Sequence, residues 1–239
     1  MISMKITYIH HSSFMVEMAE EVLLFDYFQG EVSLPRSGKP VFIFASHRHG
    51  DHFSQNIFKL AYSGQEAYYV LSDDIGRGQV PESLQERTVF IGPGQKAELE
   101  NGAGRRLEIE TYKSTDKGVA FLVTVEGRTI YHAGDLNNWV WDGEPEADNR
   151  RMSERFHREL GKLAGRHIDV AFMLIDPRQG NSFHLGMDDF MRRVGADVVF
   201  PMHFWGDFQA VDRFKALPAA EGYKDKIQEI RYEGQCFTV

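Results

Sequence analysis

Val41-Phe42-Ile43-Phe44-Ala45, followed at once by Ser46-His47-Arg48-His49-Gly50-Asp51-His52, decides the reading of this chain. An apolar run of this length, rich in β-branched and aromatic residues and entered through Pro40, predicts a strand buried on both faces. Ligands in sheet-based enzymes are held at the carboxyl ends of strands, and here that end carries three imidazoles and a carboxylate. His47 and His49 stand two apart, so in extended backbone they project to one side and can share a metal ion. Gly50 lets the chain turn, which aims Asp51 and His52 at a second ion close to the first. The competing reading is an exposed polar loop that happens to hold histidines. With ten His in 239 residues, chance placement of three in this frame beside an aspartate, directly after a buried strand, explains the pattern less well.

The frame His-x-His-x-Asp-His resembles the metal-binding signature of the metallo-β-lactamase superfamily, and two later segments match that family in order. Thr129-Ile130-Tyr131-His132 predicts a strand delivering Ala133-Gly134-Asp135; the resemblance makes Asp135 a ligand, and its two oxygens suit a bridge between two cations. Val198-Val199-Phe200 predicts a last core strand ending in Pro201-Met202-His203, and His203 matches the family's final metal-binding histidine. The resemblance also implies that Asp26, closing Val22-Leu23-Leu24-Phe25, hydrogen-bonds a ligand histidine. A strand-end turn acid is the other reading of Asp26. His11 reads as a turn histidine and His132 as packing or support.

The implied fold class is α/β, a four-layer αββα sandwich of two mixed sheets flanked by helices, as one domain over residues 1–239. Within the superfamily the chain looks most like the lactonase-like branch that includes ascorbate-6-phosphate lactonase. The family expects one more histidine between the first motif and Asp135, and none lies between His52 and His132. At its place stands Lys113-Ser114-Thr115-Asp116. Either Ser114 or Asp116 replaces the missing nitrogen, or that ion is weakly held.

The remaining elements fill in around these motifs. Ser54 predicts the N-cap of a short helix with Ile57, Leu60 and Ala61 on one face. Tyr68 to Leu71 predicts another buried strand, and Thr88 to Val125 a series of short ones separated by Gly-containing turns. Arg151 to Ala164, Met187 to Val194 and Phe208 to Leu217 predict helices. Val170 to Ile175, Ile227 to Ile230 and Cys236 to Thr238 predict strands. Trp139 and Trp141 suit a pocket wall, or anchors for the long loop after Asp135. Arg178 reads as a surface arginine, with the holding of an anionic group as its functional alternative.

Composition narrows the function. A formal charge of −8 argues against nucleic acid as a partner, since such surfaces are basic. No apolar stretch is long enough to span a bilayer, and Met1 to Lys5 lacks the features of a secretion signal, so a cytoplasmic protein is expected. The single cysteine, Cys236, excludes an internal disulfide and is expected to be a small buried residue. The oligomeric state is not legible.

These readings converge on a metal-dependent hydrolase acting on a small, in one version anionic, molecule through a metal-bound hydroxide that attacks a carbonyl or phosphoryl centre. Candidate ligands are His47, His49, Asp51, His52, Asp135 and His203. Asp51 would also orient the water, and His184 or His132 would protonate the leaving group. Zinc suits imidazole and carboxylate donors, as one or two ions, and manganese or iron also fit. Phosphodiester cleavage of a nucleotide is a rival within hydrolysis. A metal-binding or sensory module without turnover is the rival outside it.

Overall fold

Strands whose residues are all apolar need cover on both faces, and the chain meets this need by stacking two sheets. The structure is a computed structural model that describes residues 3–61 and 64–239. Met1 and Ile2, on which part of the N-terminal reading falls, lie outside the described residues.

The first sheet holds β1 (Lys5–His10), β2 (Ser13–Glu17), β3 (Val22–Phe25), β4 (Val41–Ala45), β5 (Ala67–Ser72) and β6 (Thr88–Ile91). The second holds β7 (Lys96–Glu100), β8 (Arg106–Lys113), β9 (Val119–Val125), β10 (Arg128–His132), β11 (Val170–Leu174) and β12 (Val198–Met202); β13 (Cys236–Thr238) returns to the first. Their orders are β13-β1-β2-β3-β4-β5-β6 and β12-β11-β10-β9-β8-β7. The ladder is antiparallel from β13 to β3 and parallel from β3 to β6. The second sheet has the same mixed character, parallel from β12 to β10 and antiparallel from there to β7. Both are thus mixed sheets, as expected, and the strands that carry the motifs, β4, β10 and β12, all have parallel neighbours.

Aromatic rings fill the space between the sheets. Phe14 lies 4.3 Å from Phe172, Phe25 5.9 Å from Phe172, and Phe44 5.3 Å from Phe121, centroid to centroid. Burying such a ring contributes roughly 1.5–3 kcal/mol, so this layer fixes how the strand ends face each other. Helix α1 (Glu146–Gly161) and helix α2 (Leu185–Arg193) contribute Phe156, Leu160, Met187 and Phe190 to the same apolar cluster, where Phe190 stacks on Tyr131 of β10 at 5.4 Å. Helix α3 (Gln209–Lys215) adds Val211 and Phe214. A second cluster covers the other face of the first sheet, joining Leu24, Ile43 and Leu71 to Ile57 and Leu84 of short 3₁₀ turns. The helical layer expected on that side is therefore built of single turns.

Several boundaries differ from the sequence reading. Helix α1 starts a turn early, because Pro145 presets its entry and Glu146 and Asp148 suit its first turn. Ser54 caps as expected, its hydroxyl accepting from Asn56 N at 3.2 Å, but the segment stays 3₁₀ over Gln55–Lys59. Ile227 to Ile230 forms no ladder strand; only Ile227 bridges Val199. Cys236 is exposed, correcting the expectation of burial. On edge strand β13 side chains alternate, and Phe237 takes the inward position, packing on Phe200 at 5.0 Å. Among the described residues no helix is long and apolar enough to cross a membrane.

Candidate metal centre

The loop after β4 is held in place by backbone contact with the opposite sheet. Val119 N donates to Ser46 O at 3.0 Å. Two glycines permit this approach: a Cβ on Gly118 would lie 2.0 Å from Ser46 O, and one on Gly134 2.7 Å from Val119 O and 2.8 Å from Ser46 Cβ. Both also have positive φ, so any side chain there would be strained as well as blocked. Gly50 opens a tight turn in which His52 N and Phe53 N both donate to His49 O, at 3.0 and 2.9 Å.

These contacts gather two groups of donor atoms. His11, Asp51, His52 and His203 form the first, and His47, His49 and Asp135 the second, the atoms within each lying within 4.8 Å of one another. Asp135 spans both: Oδ1 is 3.2 Å from His52 Nε2 and 3.3 Å from His203 Nε2, while Oδ2 is 3.3 Å from His47 Nε2. All six sequence-predicted ligands therefore converge. His11 joins them although it reads as a turn histidine. It gets there because His203 N donates to His11 O at 3.2 Å, drawing the β1–β2 turn onto the end of β12.

Three of the ligand histidines, His47, His52 and His203, have an anchor on the other ring nitrogen. Asp26 Oδ2 lies 2.7 Å from His52 Nδ1 and accepts from Ser46 Oγ at 2.6 Å, while Asp26 Oδ1 accepts from Ser46 N at 2.7 Å. Asp26 is thus the orienting carboxylate that the sequence suggested. Asp176 Oδ2 does the same for His203 Nδ1 at 3.0 Å. His47 Nδ1 meets only the Ser46 hydroxyl, at 3.0 Å. His132 is support: its Nε2 lies 2.9 Å from Ser12 O, and its ring stacks on Phe25 at 5.1 Å. His11, Asp26 and His203 adopt left-handed backbone, with φ of 54°, 45° and 66°. His11 is steadied there by its N–H donating to Tyr8 Oη at 2.9 Å.

Charge is balanced inside this cluster. Burial alone would lower the pKa of His52, yet Asp135 and Asp26 outweigh it and hold it well above the ordinary imidazole value. Burial would raise Asp135, but His52 and His203 hold it well below the usual carboxylate range. His203 is raised, Asp135 and Asp176 overcoming its burial. His11 goes the other way, to about 4, because desolvation there exceeds the pull of Asp51. Asp176, lowered by His203 and Arg178 against its burial, falls to about 2.

The donors fit a divalent cation. Among the described residues His11 Nε2, His52 Nε2, His203 Nε2 and Asp135 Oδ1 are buried without a hydrogen-bond partner, although Asp135 Oδ1 stands 3.2 and 3.3 Å from the His52 and His203 nitrogens and His11 Nε2 3.6 Å from Asp51 Oδ2. Orphaned buried groups are costly, and imidazole nitrogens with carboxylate oxygen around one point are the donor set of zinc and related metals.

A cavity of about 340 Å³ opens over the cluster, lined by His49, Asp51, Thr115, Asp116, Asp135, Trp139, Trp141, Met152, Arg178 and His203. Asp116 Oδ2 lies 3.7 Å from His49 Nδ1, both side chains being close to half exposed. Ser114 is turned away and buried, its Oγ accepting from Asp116 N at 3.1 Å. Trp139 and Trp141 are both wall and anchor: they stack at 5.8 Å, and Trp139 Nε1 donates to Asp135 O at 3.0 Å. Arg178, read as a surface arginine, borders the cavity. His184 is not among the lining residues; it stands at the N-cap position of α2, after a backbone kink at Gly180. Sequence reasoning assigned no role to Asp176 or to Trp205. A signal existed for Asp176, since it follows a buried strand just as Asp26 does.

A mixed-sheet sandwich with His-x-His-x-Asp-His at one strand end and further donors at two others defines a class. A family model described as the Beta-lactamase superfamily domain matches residues 5–150, and the chain belongs to the metallo-β-lactamase superfamily. Among curated proteins, a UPF0173 metal-dependent hydrolase of Opitutus terrae is 28% identical over 222 residues, 84% of this chain and 85% of that one. Another, of Alkaliphilus metalliredigens, is 25% identical over 243 residues, 94% of this chain and 93% of that one. Among solved structures, the metallo hydrolase Igni18 of Ignicoccus hospitalis superposes with TM-score 0.66 at 19% identity, covering 99% of this chain and 98% of that one. YhfI of Bacillus subtilis, a metallo-beta-lactamase fold protein, gives 0.62 at 16% identity, covering 99% and 100%. These likenesses show the fold.

Proposed function

We propose that the protein is a metal-dependent hydrolase, a single domain that opens a carbonyl or phosphoryl bond of a small molecule in the manner of the lactonase-like branch. The observation that carries this is the set of orphaned donor atoms beneath a cavity, the His11, His52 and His203 nitrogens gathered within 4.8 Å of one another and Asp135 Oδ1 against two of them. The names of the relatives agree, being metal-dependent hydrolases over most of their length. Zinc suits the donors best.

Asp51, His52, His203 and Asp135, with His11, would hold one cation; His47, His49 and the other oxygen of Asp135 would hold a second, with Asp116 in reach of His49. A cation so held supplies Lewis acidity and brings the pKa of a coordinated water to about 7. The chain's own groups do the rest. Asp51, kept ionised because His11 and His52 outweigh its burial, can accept a hydrogen bond from the attacking water and so orient it. Asp26 and Asp176 keep His52 and His203 in the tautomer that presents Nε2 to the centre. Trp139, Trp141 and Met152 exclude water from the substrate's apolar part.

The test is hydrolysis of a panel of lactones, thioesters and phosphodiesters with and without chelator, alongside elemental analysis. Turnover lost on chelation and restored by zinc is the expected result. Tight metal with no turnover on any class would overturn it in favour of a binding module.

A further inference from the structure

Arg178 has a place in the cavity that neither the metal centre nor the fold requires. Its Nε lies 3.0 Å from both oxygens of Asp176, and Nη2 is 2.5 Å from Asp176 Oδ2. Its Cζ stands 4.4 Å from the centroid of the Trp205 ring, which is half exposed and packs on His11 at 4.4 Å. One edge of the guanidinium is thus committed and one face covered. Nη1 has no hydrogen-bond partner among the described residues, and the side chain is half exposed at the cavity.

A guanidinium held this way has little freedom left to lose, and its remaining edge matches the spacing of two oxygens on a carboxylate or phosphate. Among the described residues Arg178 is the one arginine or lysine lining the cavity; the acidic groups there are Asp51, Asp116 and Asp135. An oxyanion entering the cavity is repelled from the Asp116 side and drawn to the Arg178 side. The parallel rings of Trp139 and Trp141, with Met152, add an apolar surface to the same cavity.

From this we infer that Arg178 is the oxyanion-recognition residue of the substrate pocket, and that the substrate is a small molecule with an apolar or aromatic body and a carboxylate or phosphate end. This rests on the hydrolase reading above. The same Asp176 oxygen serves Arg178 and His203, so the anion site and the centre share one carboxylate.

The experiment compares zinc-loaded native protein with Arg178→Met, which keeps the stem packed on Trp205 but removes the fork, and with Arg178→Lys. Metal content is checked in each, and binding of benzoate, phenylphosphonate and the neutral benzamide is measured by calorimetry. A charge-assisted hydrogen-bond pair is worth about 1.5–3 kcal/mol, roughly ten- to a hundredfold in Kd. Arg178→Met should weaken the oxyanion probe by that factor and benzamide by less than about twofold, with Arg178→Lys between. Preference for benzoate or phenylphosphonate tells carboxylate from phosphate. Equal loss for charged and neutral probes, or no loss, overturns the inference. Discrimination that persists in a protein without chelator-sensitive turnover supports the anion site while removing the hydrolase reading.

Discussion

The two sides of the centre share Asp135 but are restrained very differently. On one side His52 and His203 are buried, and each is gripped through Nδ1 by a buried carboxylate, Asp26 or Asp176. On the other, His47 leans on a hydroxyl, and His49 is close to half exposed with Asp116 as its only acidic neighbour apart from the shared group. A carboxylate behind an imidazole fixes its tautomer and strengthens it as a donor more than a hydroxyl does. The difference teaches that the first side is a preformed, rigid seat, while the second is an adaptable edge of the substrate cavity. One ion should therefore bind more tightly than the other.

The most severe way to break this asymmetry is His52→Ala. It removes a donor, takes from the buried Asp26 the imidazole at 2.7 Å and leaves Asp135 Oδ1 with His203 alone, and breaking such a buried pair costs about 3–5 kcal/mol. Loss of the tight ion on dialysis and a lower denaturant midpoint are expected; full retention of metal would end the assignment. By contrast, His49→Ala should leave the tight ion in place and remove only the weaker one. Next in size is Asp26→Asn, which keeps the shape but not the charge behind His52. Affinity for the first ion should fall about 10–100-fold, measured by competition with a chromogenic chelator. An unchanged affinity would show that the buried carboxylate is not what distinguishes the two sides.

Proton linkage gives a third measurement. His52 is held well above the ordinary imidazole value and His203 is raised too, so metal has to displace protons from this pair. Loading should release protons, seen as a dependence of calorimetric heat on buffer ionisation enthalpy. A raised imidazole pKa gives stability that is fully present below about 6.5 and lost as pH rises through the folded value. Metal-free protein should therefore become less stable above about pH 6.5. Loaded protein should gain stability up to that pH and then level off, because its imidazoles are already unprotonated. Parallel Tm profiles would contradict this. The smallest effect is Asp116→His, which should tighten the weaker ion severalfold by restoring a nitrogen beside His49; two equal tight sites before substitution would mean that the asymmetry is absent.

Much of this was legible because burial leaves a pattern. β3, β4 and β11 are apolar at every position, and such runs are what a sheet covered on both faces demands. The first and last motifs follow apolar strands, β4 and β12, while the second follows β10, which is apolar and buried only toward its end, so their convergence could be expected from their place at strand ends and their order. What escaped depends on contacts between distant segments. His11 reaches the centre only through its carbonyl's bond to His203 N, and nothing local to His10-His11-Ser12-Ser13 announces that. Arg178 differs from a surface arginine only by its grip on Asp176 and its seat on Trp205. Cys236 faces solvent because β13 is an edge, a fact about its neighbours rather than itself.

The left-handed backbone at His11, Asp26 and His203 bears on how this chain can change. A side chain other than glycine held in that region costs about 1–3 kcal/mol, and glycine or asparagine would relieve much of it. Selection for thermal tolerance alone, in a library screened without regard to turnover, would therefore enrich replacements at His11 first, because Asp26 and His203 sit in buried ion pairs whose loss costs about 3–5 kcal/mol, more than the strain relieved. The most robust descendants of this sequence would keep the sandwich and lose the chemistry, so a screen meant to harden the protein has to score metal retention in the same round.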